Sequence, residues 1–220
     1  MGSDMSKELG ISDEKIVSDA IYNFIIGTSL MWGLLLNFIA VKSSVAEFIL
    51  TYIGFMGMII LYFALAFSGV YIFNKSKEPM ISLLGYSMVA FAFGLILELC
   101  LLAYDSSVIF PAIVITGGVT IIMMILGSLF PAFFFGIVRM LTLSLLAVII
   151  IELVLFFFFR TQLVIIDYIV IVIFCGYIGY DWGKANAVPK TVDNAIDSAA
   201  NIYMDILNLF LRILRILGRK

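Results

Sequence analysis

The groups able to do chemistry in this 220-residue chain are mostly carboxylates and guanidiniums set in apolar sequence. Glu98, Arg139, Glu152, Asp167 and Asp181 lie inside long hydrophobic runs, and Glu47 stands at the edge of another. The stretch 195–220 carries Ser198, Asn201, Asp205, Asn208, Arg212, Arg215 and Arg219, at alternating steps of three and four. On a 3.6-residue helix that spacing makes one polar stripe down a single face. A charge in a bilayer is costly, so each of these groups is a functional candidate by default. Acids gathered at one end of a bundle raise the local cation concentration. The same Glu98 or Glu152 can instead pair with Arg212 or Arg215 as glue between helices, and both readings stand. Asp167, a few residues from Arg160, reads as interfacial rather than pore-lining.

Other chemistry is absent. The chain has no histidine, which excludes imidazole catalysis and the usual imidazole metal sites. Cys100 and Cys175 sit in apolar runs without metal-ligand spacing and read as packing residues. No resident metal or cofactor is expected. The formal net charge is −2 and no basic run points to a nucleic acid.

The elements that position these groups follow from composition. Apolar residues make up 64% of the chain and charged ones 13%, with mean hydropathy +1.19. Soluble domains carry roughly a quarter charged residues, so this is a multi-pass membrane protein with the lipid bilayer as its main partner. Residues 1–20 form a polar segment, of which 1–4 read as an artificial extension ahead of a natural start at Met5. Residues 21–220 form a single transmembrane domain. Six apolar runs, near 21–41, 48–73, 80–103, 108–130, 132–159 and 163–182, can each cross a hydrocarbon core of about 30 Å. The fourth and fifth are separated only by Pro131, but together they are too long for one span. Short breaks leave no room for an inserted soluble domain. With the N-terminus inside, the inner segments hold Lys7, Lys15, Lys75, Lys77, Lys184 and Lys190 against Lys42 and Arg160 outside, which predicts a cytoplasmic N-terminus.

The seventh, striped segment fits either a helix lying flat at the membrane surface or one buried in the bundle with its seam facing a polar cavity. Asp205 argues for burial, since an acid in the polar face weakens attraction to anionic lipid. The basic end, Arg212 to Lys220, breaks the charge rule on a full crossing, so a helix sheathed by the other six and a re-entrant helix both stay open.

The sixth span ends in YDWGKA, and after a short polar link comes NIYMDILNLFLRILRILG. This pair of segments resembles the end of the Bax inhibitor-1 family, the transmembrane Bax-inhibitor-motif proteins. Asn201, Tyr203, Asp205, Asn208, Leu209, Phe210, Leu214 and Arg215 fit its last-helix pattern, and ISLLGYSMVAFAFGLIL (81–97) is similar to the third span of its prokaryotic branch. The resemblance implies an all-α bundle of six transmembrane helices around a central C-terminal seventh. It also implies a pH-sensitive calcium leak in a prokaryotic plasma membrane, with calcium as a permeant or transiently bound ion. The family's aspartate pair falls on Asp181 and Asp205, the implied pH sensor and gate. The polar stripe Asn201, Asn208, Arg212 and Arg215 would face the path. A basic residue common in the family's second span has no counterpart between 48 and 73; Arg139 is a possible substitute.

Two carboxylates in a poorly solvated site cannot both ionise cheaply, so they share a proton and clasp two helices. Asp197 is the rival partner for Asp181 by depth. An aspartic hydrolase would use such a pair too, but the motif is GYDWG and not the GxGD of intramembrane aspartyl proteases, so no enzyme is expected. The leading function is a proton-gated calcium leak acting as a monomer. A regulatory protein working through partner contacts and a small-molecule carrier are the alternatives.

Overall fold

The computed structural model describes residues 16–161 and 163–219. The predicted extension at 1–4, with Lys7 and Lys15, lies outside the described residues. Among the described residues seven α-helices follow one another: α1 Asp19–Lys42, α2 Val45–Lys75, α3 Pro79–Leu102, α4 Ser106–Leu129, α5 Pro131–Val154, α6 Val164–Ala187 and α7 Val192–Leu217. Leu155–Phe159 extends α5 as a turn of π-helix. The first six are long and apolar enough to cross a membrane, whereas α7, with its polar stripe, is not among them. The chain is an all-α integral membrane protein, six spanning helices about a seventh.

Local chemistry sets the boundaries. Ser18 caps α1 by accepting from the Ile21 N–H, with Asp19 in the first turn and Lys42 in the last, as the helix dipole favours. Pro79 opens α3 and Pro131 opens α5, positions where a missing N–H costs nothing. Between α4 and α5 only Phe130 stands outside the helices, so the proline break is a true reversal between two spans.

Successive helices alternate in direction, and the end where α1 begins is called the near end here. α7 runs the length of the bundle. Asp193 in its first turn accepts from Ser82 Oγ of α3 at 2.6 Å, at the near end. Gly218, just past its last turn, lies against Tyr104 in the α3–α4 connection at the far end. The re-entrant alternative is therefore not what the chain adopts. α7 packs directly on α1, α3, α4 and α6, while α2 lies mainly on α3 and α5 mainly on α6.

Lipid tails are as apolar as leucine, so burial of apolar area does not hold such helices together; close packing and buried hydrogen bonds do. α4 and α6 touch backbone to backbone where Gly127 meets Gly179, an approach that any side chain at Gly127 would block. In the core Tyr203 of α7 donates to Asn37 Oδ1 of α1 at 2.8 Å and stacks edge-on against Tyr86, whose hydroxyl donates to the Ser29 carbonyl at 3.0 Å. These buried hydrogen bonds tie α7 to α1 and α3 to α1 in the core.

Helix α2 is not continuous. Gly54 adopts φ 79° and ψ 173°, outside the helical region and open only to glycine, so residues 45–53 form a separate short stretch at the far end.

Candidate functional site

The near end contains a small polar cavity of about 100 Å³ between the ends of α2, α6 and α7. Asn74, Asp181, Lys184, Asn194, Asp197, Ser198 and Asn201 line it. Asp181, on α6, faces this space, and Asp205, on α7, lies behind it at 7% exposure. The two side chains are within hydrogen-bonding reach of one another. Asp205 Oδ2 is buried and no protein donor serves it. Two carboxylates are acceptors only, so the contact is satisfied when one of them carries a proton and donates it to the other.

Helix registers explain how the pair meets. Asp181 is six residues from the end of α6, about 9 Å, whereas Asp205 is thirteen residues into α7, about 20 Å. Trp182 Nε1 donates to Ser128 Oγ in the last turn of α4 at 2.7 Å, which puts Asp181 level with the end of α4. The end of α6 and the first turns of α7 therefore reach past α4, and the cavity forms among them. The Tyr22 hydroxyl, at the start of α1, bonds Ser198 Oγ at 3.1 Å and holds that part of α7 in place. The contact selects Asp205 over Asp197 as the neighbour of Asp181; Asp197 stays on the cavity wall.

At the far end α7 carries the second ionic site. Arg212 makes a fork to Glu152, with Nη2 to Oε2 at 2.8 Å and Nη1 to Oε1, and Nη1 also reaches Asp167 Oδ1 at 3.0 Å. Arg215 lies 3.1 Å from Asp167 Oδ1 and 3.7 Å from Glu152, and Arg219 donates to Asp167 Oδ2 at 3.3 Å. Asp167 is thus a deeply buried hub at 1% exposure, not the interfacial residue its neighbourhood in the sequence implies. The guanidinium fork matches a carboxylate edge, so this cluster fixes α7 against α5 and α6. It does not present bare negative charge to a cation.

Glu98 has a different task. Its carboxylate accepts the backbone N–H of Ala46 at 2.9 Å and of Glu47 at 3.2 Å, capping α2 from α3. The local cap position, Ser44, is left-handed and its side chain makes no capping bond. Glu98 makes no ion pair with Arg212 or Arg215 among the described residues. Glu47 is exposed at the far end, as is Asp105 in the α3–α4 connection.

Arg139 is exposed in the near half of α5 and does not line the Asp181 cavity, so it does not stand in for a second-span cation. Lys184 does approach Asp181 electrostatically, from one turn further along α6. The three-residue step in YDWGK was its signal. On the stripe, Asn201 lines the cavity, whereas Asn208 donates to the Met204 carbonyl of its own helix at 2.8 Å. Asn201 therefore shares the near-end site with Asp181, and Arg212 and Arg215 belong to the far-end cluster.

Among known proteins, the chain is similar to Protein LIFEGUARD 3 of Arabidopsis thaliana, with 42% identity over 59 residues. That stretch covers 26% of this chain and 23% of the plant protein, well under two thirds of the relative's length. The family model described as "Inhibitor of apoptosis-promoting Bax1" matches residues 16–220, the whole helical bundle, and the chain belongs to that Bax inhibitor family.

Proposed function

We propose that this protein is a pH-sensitive calcium leak of the cell membrane, gated by the proton shared between Asp181 and Asp205. The observation that carries the reading is the buried contact of two carboxylates from α6 and α7 beside a polar cavity at the near end. With one proton the pair clasps the two helices through a charge-assisted hydrogen bond. With none, two like charges face each other in a poorly solvated place and drive α6 and α7 apart. With two protons the charged hydrogen bond is lost and the latch weakens. The chain has no histidine to titrate instead. Lys184 tunes the pair from the cavity wall.

The near end is proposed to be cytoplasmic. Lys75, Lys77, Lys184 and Lys190 gather there against Lys42 and Arg160 at the far end, while the far-end arginines of α7 are engaged by Glu152 and Asp167. The family's description favours a second reading, regulation of cell death through partner contacts.

The test is reconstitution of the pure protein, alone, in liposomes. Calcium entry without any partner supports the leak; silence with correctly folded protein favours the regulatory reading. Saturable flux of an organic solute in place of calcium identifies a carrier.

A further inference from the structure

α5 and α7 form no packed interface, and the far-end ion pairs bridge the gap between them. Beyond those pairs the turn of π-helix, Leu155–Phe159, carries α5 toward the far surface. Arg160, left-handed at φ 49°, then turns the chain so that the Thr161 N–H returns to the Leu155 carbonyl at 3.3 Å. Under this hook lies a pocket of about 260 Å³, walled by α5, the start of α6 and α7. Glu152, Thr161 and Arg215 are its polar residues, and Ile149, Leu153 and Phe156 form its apolar outer wall. Those three follow one another at steps of four and three and are exposed, so the pocket opens sideways onto the bilayer.

Its polar groups are unevenly satisfied. Arg212 engages both Glu152 oxygens, and the charge of Asp167 is divided among three guanidiniums. Arg215 makes one hydrogen bond, from Nη1 to Asp167 at 3.1 Å, and a 3.7 Å contact with Glu152. Its Nε and Nη2 make none among the described residues. The Arg215 side chain is 35% exposed and lines the pocket, so a ligand there can reach it. A guanidinium with unfilled donors beside apolar walls suits a phosphate that carries an apolar tail. Glu152 at its side favours a single negative charge, as in a phosphodiester, over a dianion. The depth is right for a lipid headgroup. α5 with its π-turn is 29 residues, roughly 43 Å, and a bilayer with its headgroups is about 40–45 Å thick. The pocket mouth at residues 155–161 therefore lies at headgroup level, while Ile149 and Leu153 stand deeper, beside the acyl chains.

We propose that this pocket seats one far-leaflet phospholipid, with its phosphodiester on Arg215 and the Thr161 hydroxyl and an acyl chain along Ile149, Leu153 and Phe156. The phosphate gives Arg215 the acceptor that Glu152, engaged by Arg212, does not.

The test uses the full chain in detergent micelles with a trace of phosphatidylcholine that carries a diazirine near the start of one acyl chain, followed by photolysis and peptide mapping. Label is expected on Leu153 and Phe156 in excess over Phe63 and Phe67, which are exposed on α2. Unlabelled phosphatidylcholine should compete for the α5 site about tenfold better than diacylglycerol with the same chains, the effect of one charge-assisted hydrogen bond at a part-exposed group. Arg215→Gln should remove that preference. Leu153→Trp fills the pocket from its lipid side and should abolish the excess on Phe156, while the α2 label persists and reports a preserved fold. Equal competition by the two lipids, or a preference that survives Arg215→Gln, overturns the phosphate contact. Label on α5 no stronger than on α2, or an excess on Phe156 that ignores Leu153→Trp, overturns the site. Displacement of the label by inorganic phosphate overturns the lipid as occupant and assigns the pocket to a free anion.

Discussion

Asp167→Asn is the change that most sharply separates structural acids from cation-attracting ones at the far end. The side chain of Asp167 is 2% exposed and three guanidiniums converge on it. The amide keeps the shape and removes the charge. Arg212 then retains its fork to Glu152, but Arg215 is left with a 3.7 Å contact and Arg219 loses this partner. Removing one member of a buried ion pair costs about 3–5 kcal/mol. Arg215 and Arg219 keep about a third of their side-chain surface, so water softens the loss and the lower figure, about 3 kcal/mol, applies. At about 2–4 °C per kcal/mol for a chain of this size, Tm should fall by roughly 6–12 °C. Glu152 is 30% exposed and its removal leaves Arg212 on Asp167, so Glu152→Gln should cost only about 1 kcal/mol. The assay is thermal unfolding of both variants in one detergent, with Arg212→Leu completing a double-mutant cycle that should show coupling of at least about 1 kcal/mol between Asp167 and Arg212. Losses of no more than a few tenths of a kcal/mol for both acids, with calcium flux lost, would refute the structural assignment.

Glu98→Gln weakens the acceptor for two α2 amides, so it should lower stability by about 1–2 kcal/mol and leave the salt dependence of calcium flux unaltered; thermal unfolding and flux at two ionic strengths check both. Gly127→Val must separate α4 from α6 at the Gly179 backbone, and should cost about 2 kcal/mol or more of stability in the same unfolding assay. A cysteine-reactive label placed at Ser43 should be reached from one side of the membrane and one at Ser76 from the other, since these residues close opposite ends of α2; labelling from one side only would overturn the alternation of spans.

What the sequence reveals is what is encoded locally. The six spans are legible because hydropathy and brief polar breaks are properties of neighbouring residues, and even the Pro131 reversal follows from run length. The stripe on α7 is legible because steps of three and four can only share a helical face. The uses of the acids are not legible in the same way. Glu98 caps a helix whose own cap position, Ser44, is in the wrong backbone conformation, and its targets lie 51 and 52 residues away in the chain. Asp167 looks interfacial beside Arg160, but its partners come from α7 and the residues just past its end, 45 to 52 residues later. Such pairings depend on tertiary register, which no window of sequence contains. The break at Gly54 is hidden for another reason: a glycine in an apolar run is compatible with a straight helix and with a kink. The Asp181–Asp205 contact follows from the family resemblance and not from depth, since the two positions, counted along their own helices, differ by about 11 Å.

The most direct test of the proton clasp is calcium influx into liposomes, recorded at several pH values, for the unaltered protein, Asp205→Asn and Asp181→Ala. The clasp predicts a pH-dependent flux for the unaltered protein that rises as the shared proton is lost. Asp205→Asn supplies a permanent amide donor to Asp181 and should flatten the dependence toward one fixed state. Asp181→Ala removes the partner and should leave a leak that hardly responds to pH. If Asp205→Asn and the unaltered protein trace the same curve, the pair is structural and the pH sensor lies elsewhere.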